Sequence, residues 1–149
     1  MTAYTNAKLV LPDEIVTGSL IEENGIIKEV LPGVMLENAV DLQGLYLAPG
    51  FIEMHTHGAG GYDYMDGTEE AFRAASLTHF VHGTTTVLPT TLAATREEIL
   101  RAIETCRKIK ADWREGPCVH GLHMEGPYLN PIHKGAIDET YIRNPDPAE

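Results

Sequence analysis

The stretch Pro49–Gly67, "PGFIEMHTHGAGGYDYMDG", is where the chain changes rhythm. An apolar run ends in two histidines two residues apart, and glycines and aspartates follow. On a strand, residues two apart face the same way, so His55 and His57 project together from the end of "FIEMHTH". Thr68 then reads as a helix N-cap, with Glu69 and Glu70 in the first turn, where the helix dipole favours acids. Phe72, Ala75, His79 and Phe80 fall on one face of that helix, and Gly83 suits its stop. "TTTVLPTT" reads as a β-branched strand. "TREE" opens a second helix through a capping box of Thr95 and Glu98, with Ile99, Ala102, Ile103, Cys106 and Trp113 as its apolar stripe. "CVHGLHME" reads as a third strand. The strand starts Phe51, Thr84 and Val119 lie 33 and 35 residues apart. Strand–helix alternation at that pitch means parallel βαβ units. Two architectures compete: a small open sheet, and a (β/α)8 barrel, of which this chain would hold only a part, since eight units take about 250 residues.

Working back from Pro49, the first 48 residues show no helical period and read as a small sheet. Tyr4–Leu11 and Ile15–Glu23 are strand-like, with Pro12–Asp13 between them. Asn24–Gly25 is a hairpin signal, because both positions tolerate positive φ. It leads into "IIKEVL", and "VDLQGLYLA" supplies a further candidate strand. The expected organisation is therefore a β segment over 1–48 and an α/β segment over 49–149.

At 149 residues, 43% hydrophobic and 22% charged, the chain is long enough to bury a sizeable core. No apolar run approaches the roughly 18 residues of a membrane span, and "MTAYTNAKLVLPDEIV" lacks the form of a secretion signal. Two cysteines, Cys106 and Cys118, are too few for a disulfide framework and read as reduced thiols in the cytoplasm. A formal charge of −11 argues against a nucleic-acid partner, which needs clustered Lys and Arg. It leaves room for a small anionic substrate.

The chemistry-bearing residues gather at strand ends, where parallel α/β folds place their sites. Two imidazoles converging from one strand can share a divalent ion. A bare H-x-H is more often a pair of surface histidines, but here an apolar run precedes it and the glycine segment Gly58–Gly61, read as room for a substrate, follows, which reverses the balance. In "HGLHMEGPY", His123 and Glu125 share a face, and Glu125 sits at the strand end. Two histidines and a glutamate make a catalytic zinc set with an open position. His123 reads as a neighbour of that set rather than a ligand. His79, His82, His120 and His133 read as structural or exposed, and Asp63 and Asp66 as turn residues. Lys134, in the loop "NPIHKGAID", reads as a surface lysine within reach of an anionic ligand.

Taken in order, "PGFIEMHTHGAGGYDYMDG", "GTTTVLPTT" and "GLHMEGPYLNPIHKGA" resemble the amidohydrolase superfamily, and within it the sugar-phosphate deacetylases. The resemblance implies the first three β/α units of a metal-dependent hydrolase TIM barrel, preceded by a small β-sandwich segment. It implies metal-dependent hydrolysis of the acetamide of N-acetylglucosamine 6-phosphate to glucosamine 6-phosphate and acetate. Zinc or iron, one or two ions per site, would be the cofactor. Glu125 would be a metal ligand, His55 and His57 would hold a metal in members that carry H-x-H, and Ala136 and Ile137 would lie in the segment that contacts the sugar. Many members carry a histidine at the position of Ile137, so no polar contact is carried over there. The remaining metal histidines and the catalytic aspartate of the family lie on later strands. The chain is thus expected to be the amino-terminal part of a longer, homo-oligomeric enzyme. The competing expectations are a non-catalytic remnant that binds a metal or associates through an open sheet edge, and an amidohydrolase of cyclic amides.

Overall fold

The computed structural model describes residues 1–147, and the chain divides into two compact units with the boundary between Pro49 and Gly50.

The first unit is one five-stranded sheet. Strands β1 (Thr2–Val10), β2 (Ile15–Glu23) and β3 (Ile26–Pro32) run antiparallel in sequence, and β4 (Val40–Asp41) and β5 (Tyr46–Leu47) both lie parallel along β1. Asn24 and Gly25 adopt φ 54° and 79°, the geometry expected of their hairpin. The expected strand over "VDLQGLYLA" is instead two short bridges. Gln43 and Gly44 take φ 53° and 76°, which turns the chain and leaves a two-residue strand on either side. Ala7 and Leu9 are buried, and the buried pair Thr5 and Ser19 is satisfied by mutual hydroxyl bonding at 2.9 Å. A groove of about 300 Å³ lined by Leu9, Leu20, Ile27, Val30 and Leu47 marks the apolar face of this sheet.

The second unit alternates strand and helix. Strand β6 (Phe51–Thr56) leads into a small hairpin of β7 (Gly58–Ala59) and β8 (Tyr62–Asp63), a 3-10 turn at Tyr64–Asp66 and helix α1 (Glu69–Phe80). Strand β9 (Thr84–Thr91), helix α2 (Arg96–Asp112), β10 (Cys118–Val119) and β11 (His123–Met124) follow. Strand β9 is central: β6 pairs with one side of it, β10 and β11 with the other, all parallel.

The local chemistry explains the elements. The Thr68 hydroxyl accepts from Ala71 N, and Thr95 and Glu98 form a reciprocal capping box that opens α2. Tyr64, Phe72, Ala75, Val87, Ala102, Cys106, Ile109, Trp113 and Val119 form one apolar core between helices and sheet. Within it the Tyr64 and Phe72 rings meet edge to face at 5.0 Å, and the Tyr64 hydroxyl bonds to Ser76. Burial raises the Tyr64 phenol and pushes the Cys106 thiol up to about 11. Phe80 departs from its expected place on the apolar face and is exposed.

The third strand also differs from expectation, being interrupted between Val119 and His123. His120 N still donates to Val87 O at 3.1 Å, but the His120 carbonyl accepts from Lys110 Nζ at 2.5 Å and the Gly121 carbonyl from Cys106 Sγ at 3.6 Å. Side chains of α2 thus satisfy the carbonyls at the interruption.

Candidate metal centre

The C-terminal ends of β6 and β11 flank the end of β9, and this places His55, His57 and Glu125 together. His55 is on β6, His57 follows it by one residue and Glu125 follows β11. The Nε2 atoms of His55 and His57 lie 2.8 and 3.0 Å from the same oxygen, Oε2 of Glu125. Ligand-capable atoms of the three residues all fall within 4.8 Å of one another, and among the described residues no other such group occurs.

The donor set fits a divalent cation. A carboxylate only accepts and an imidazole nitrogen without its proton is a ligand, so a cation can replace the protons that join the three side chains. His57 Nδ1 is buried with no hydrogen-bond partner, so among the described residues Glu125 is the polar group that meets this ring, and it does so at Nε2. The side chains are partly exposed, from 29% at Glu125 to 51% at His55, which leaves the centre open to a ligand.

Neighbouring hydroxyls hold the backbone between the histidines. The Thr90 hydroxyl accepts from Thr56 N at 3.0 Å. The Thr56 hydroxyl donates to Gly58 O at 3.2 Å and meets Nε2 of His79, on α1, at 3.0 Å. His79 therefore has a structural role, in line with expectation. The composition "TTTVLPTT" had offered only hydroxyls in general; nothing in the sequence singled out Thr90.

Two of the glycines have a packing role: a Cβ on Gly58 would overlap the Tyr62 carbonyl oxygen, and one on Gly60 would overlap the Thr78 hydroxyl. Gly58 permits the close pairing of the β7–β8 hairpin, and Gly60 its approach to α1. Asp63 caps the 3-10 turn by accepting from Met65 N at 2.7 Å, and Asp66 accepts from Asp63 N at 3.0 Å.

A cavity of about 640 Å³ adjoins the centre, lined by His57, Glu125, Leu92, Ala93 and the segment from His133 to Asp138. Ala136 and Ile137 lie on its wall, and Ile137 is buried. Lys134 turns its ammonium to Ile137 O at 3.1 Å. Asp138 bonds Thr140 through both backbone and hydroxyl, which lowers its carboxyl below the usual range. His82 and His120 are exposed. Among the described residues, no helix is long and apolar enough to cross a membrane.

Comparison with known proteins gives a consistent result. The model of the amidohydrolase family matches residues 46–149. The N-acetylglucosamine-6-phosphate deacetylase of Vibrio furnissii is 33% identical over 133 residues, covering 88% of this chain and 33% of the relative. That of Haemophilus influenzae is 35% identical over 133 residues, covering 87% and 34%. Among solved structures, the deacetylase of the same name from Pasteurella multocida superposes with a TM-score of 0.86 at 31% identity, covering 99% of this chain and 40% of that one. The Mycobacterium smegmatis enzyme gives 0.83 at 27%, covering 99% and 39%. The chain spans about a third of the length of the curated relatives it matches.

Proposed function

The chain belongs to the amidohydrolase family, and from that premise we propose that it carries the metal-holding part of an N-acetylglucosamine-6-phosphate deacetylase. The observation that carries the proposal is the convergence of two imidazole nitrogens on one carboxylate oxygen, beside a cavity of about 640 Å³. In this reading β6, β9 and the pair β10–β11 are the first three strands of a barrel, residues 49–149 its partial domain, and residues 1–48 a β-sandwich segment. Strands that run parallel and end at one site support it. In this reading the substrate is a phosphorylated amino sugar and the whole enzyme a homo-oligomer, and two free thiols are compatible with a cytoplasmic location.

His55, His57 and Glu125 would hold the cation, zinc or iron, with Glu125 supplying negative charge against it. A divalent cation, when bound, supplies Lewis acidity that activates water at neutral pH and polarises an amide carbonyl. Ala136 and Ile137 offer the substrate an apolar wall on the cavity side. Among the described residues lining the cavity, Glu125 and Asp138 carry carboxylates, and Asp138 accepts from Thr140 within its own turn. In this reading the described residues bind and orient, and the general base that acetamide hydrolysis needs comes from a later strand. A second reading, a metal-binding chain that associates through an open strand edge without turnover, draws on the exposure of Phe51, Ile52 and Met54 along β6.

Metal analysis of the purified chain tests the proposal. About one zinc or iron ion per chain is expected, lost in the double variant His55→Ala, His57→Ala. Equal metal in both proteins overturns it. Acetate release from N-acetylglucosamine 6-phosphate by this chain alone should be undetectable, and clear turnover would show that one of these residues does serve as base.

A further inference from the structure

Thr90 is fully buried at the end of β9, and three groups surround its hydroxyl: Thr56 N at 3.0 Å, Leu88 O at 3.3 Å and His123 Nδ1 at 3.3 Å. A hydroxyl has one proton and two lone pairs. Thr56 N–H can only donate and the Leu88 carbonyl can only accept, so all three contacts are hydrogen bonds at once in one arrangement: Thr90 donates to Leu88 and accepts from His123, whose proton is then on Nδ1. The ring of His123, anchored in this way, meets the ring of His55 edge to face, with centroids 4.7 Å apart and planes at 78°. His55 in turn meets His57 at 5.2 Å and 77°. His123 itself is outside the group whose ligand atoms converge.

One hydroxyl therefore fixes two things at once: the β6 backbone between the two candidate ligands, and the imidazole that abuts the first of them. We infer that Thr90 and His123 form a positioning pair that presets His55 and His57 for cation binding, with His123 acting as a wall and not as a ligand. The inference rests on the metal-centre reading above. Its energetic logic is preorganisation: a ring already held in place loses little freedom when a metal arrives, and removing such outer partners typically costs metal affinity about 10–100-fold.

The test uses the whole chain, stripped of metal and titrated with zinc and with cobalt(II). Thr90→Val keeps the shape and removes the hydroxyl, and it should weaken zinc binding roughly 10–100-fold. Thr90→Ser restores the hydroxyl and should bind like the parent. His123→Phe keeps the ring and loses the hydrogen bond, so it should weaken binding as well. Its cobalt absorption bands at saturation should match the parent's, because the ligands are the same. Independently of metal, long-range proton–nitrogen correlation NMR of the parent chain should show His123 protonated at Nδ1, and Thr90→Val should shift that balance. Thr90→Val binding zinc as tightly as the parent, a parent His123 protonated at Nε2, or a saturated His123→Phe spectrum that has lost a nitrogen donor would each overturn the pair's role. A parent chain that takes up no zinc overturns the metal-centre reading and the positioning role together, which separates that failure from a failure of the pair alone.

Discussion

Gly58→Ala isolates what the glycines after His57 do. Gly58 is not in the left-handed region, so the substitution brings no backbone strain of its own. Its cost is steric: the new methyl would overlap the Tyr62 carbonyl oxygen and lie 2.9 Å from Asp63 Cα, both backbone atoms. Backbone cannot swing aside as a side chain does, so the two strands of the hairpin, paired Gly58 to Asp63 and Ala59 to Tyr62, must part. Overpacking of this kind costs about 1–3 kcal/mol. At about 2 kcal/mol, and about 4 °C per kcal/mol for a chain of this size, the melting temperature should fall by about 8 °C. The damage reaches the metal centre, because Tyr64 N donates to His57 O at 2.8 Å and so ties the hairpin to the second histidine. Zinc affinity should drop roughly tenfold. Gly121→Ala is the control: nothing lies within 4 Å of its added carbon, and its melt should stay within about 0.5 kcal/mol of the parent. Calorimetry and zinc titration of the three proteins decide the matter. Should Gly58→Ala melt and bind like the parent, close packing would not be what requires the glycine, and room for a substrate would stand as its explanation.

Thr95→Ala removes the hydroxyl that accepts from Glu98 N at 3.3 Å and should destabilise by about 1 kcal/mol, read by chemical denaturation. Hydrogen bonds from the Thr95 hydroxyl and backbone hold the Glu98 carboxyl below its ordinary value of 4.5. A lowered carboxyl stabilises above its unfolded value and loses that contribution as pH falls through the folded one. The gap between parent and Thr95→Ala should therefore shrink on acidification below pH 4.5, and a gap that widens there would contradict the capping box. The two thiols should separate cleanly with iodoacetamide: Cys118 is exposed and reacts, whereas Cys106 is buried, raised to about 11, and stays unmodified until the chain is unfolded. Mass spectrometry that finds Cys106 labelled in the native chain would mean the core between α2 and the sheet is open.

The parts of the fold that were legible in the sequence are those set by residues close together in the chain. Thr68 and Thr95 announce their helices because an N-cap and its partner lie three residues apart. Asn24–Gly25 announces its hairpin because positive φ is a property of those two residues. Strand continuity is a different kind of quantity. "CVHGLHME" has the composition of a strand, yet it is interrupted, and Lys110 and Cys106, a helix away, take its carbonyls there. "VDLQGLYLA" breaks at Gln43, whose positive φ no propensity would assign. Both failures came from partners or conformations that lie outside the segment's own pattern.

The same division runs through the candidate site. Residue type and the two-residue spacing were enough to point His55 and His57 the same way, and the position of Glu125 at a strand end brought it to the same side. What holds these side chains still could not be read, because it is built across strands. Thr90 is one threonine among several in "TTTVLPTT", and only pairing of β9 with both β6 and β11 sets its hydroxyl between Thr56 and His123. A ligand set is thus a property of local spacing, while its preorganisation is a property of strand register. A one-residue slip of β9 against β11 would leave His55, His57 and Glu125 with their chemistry and remove the hydroxyl that aligns them.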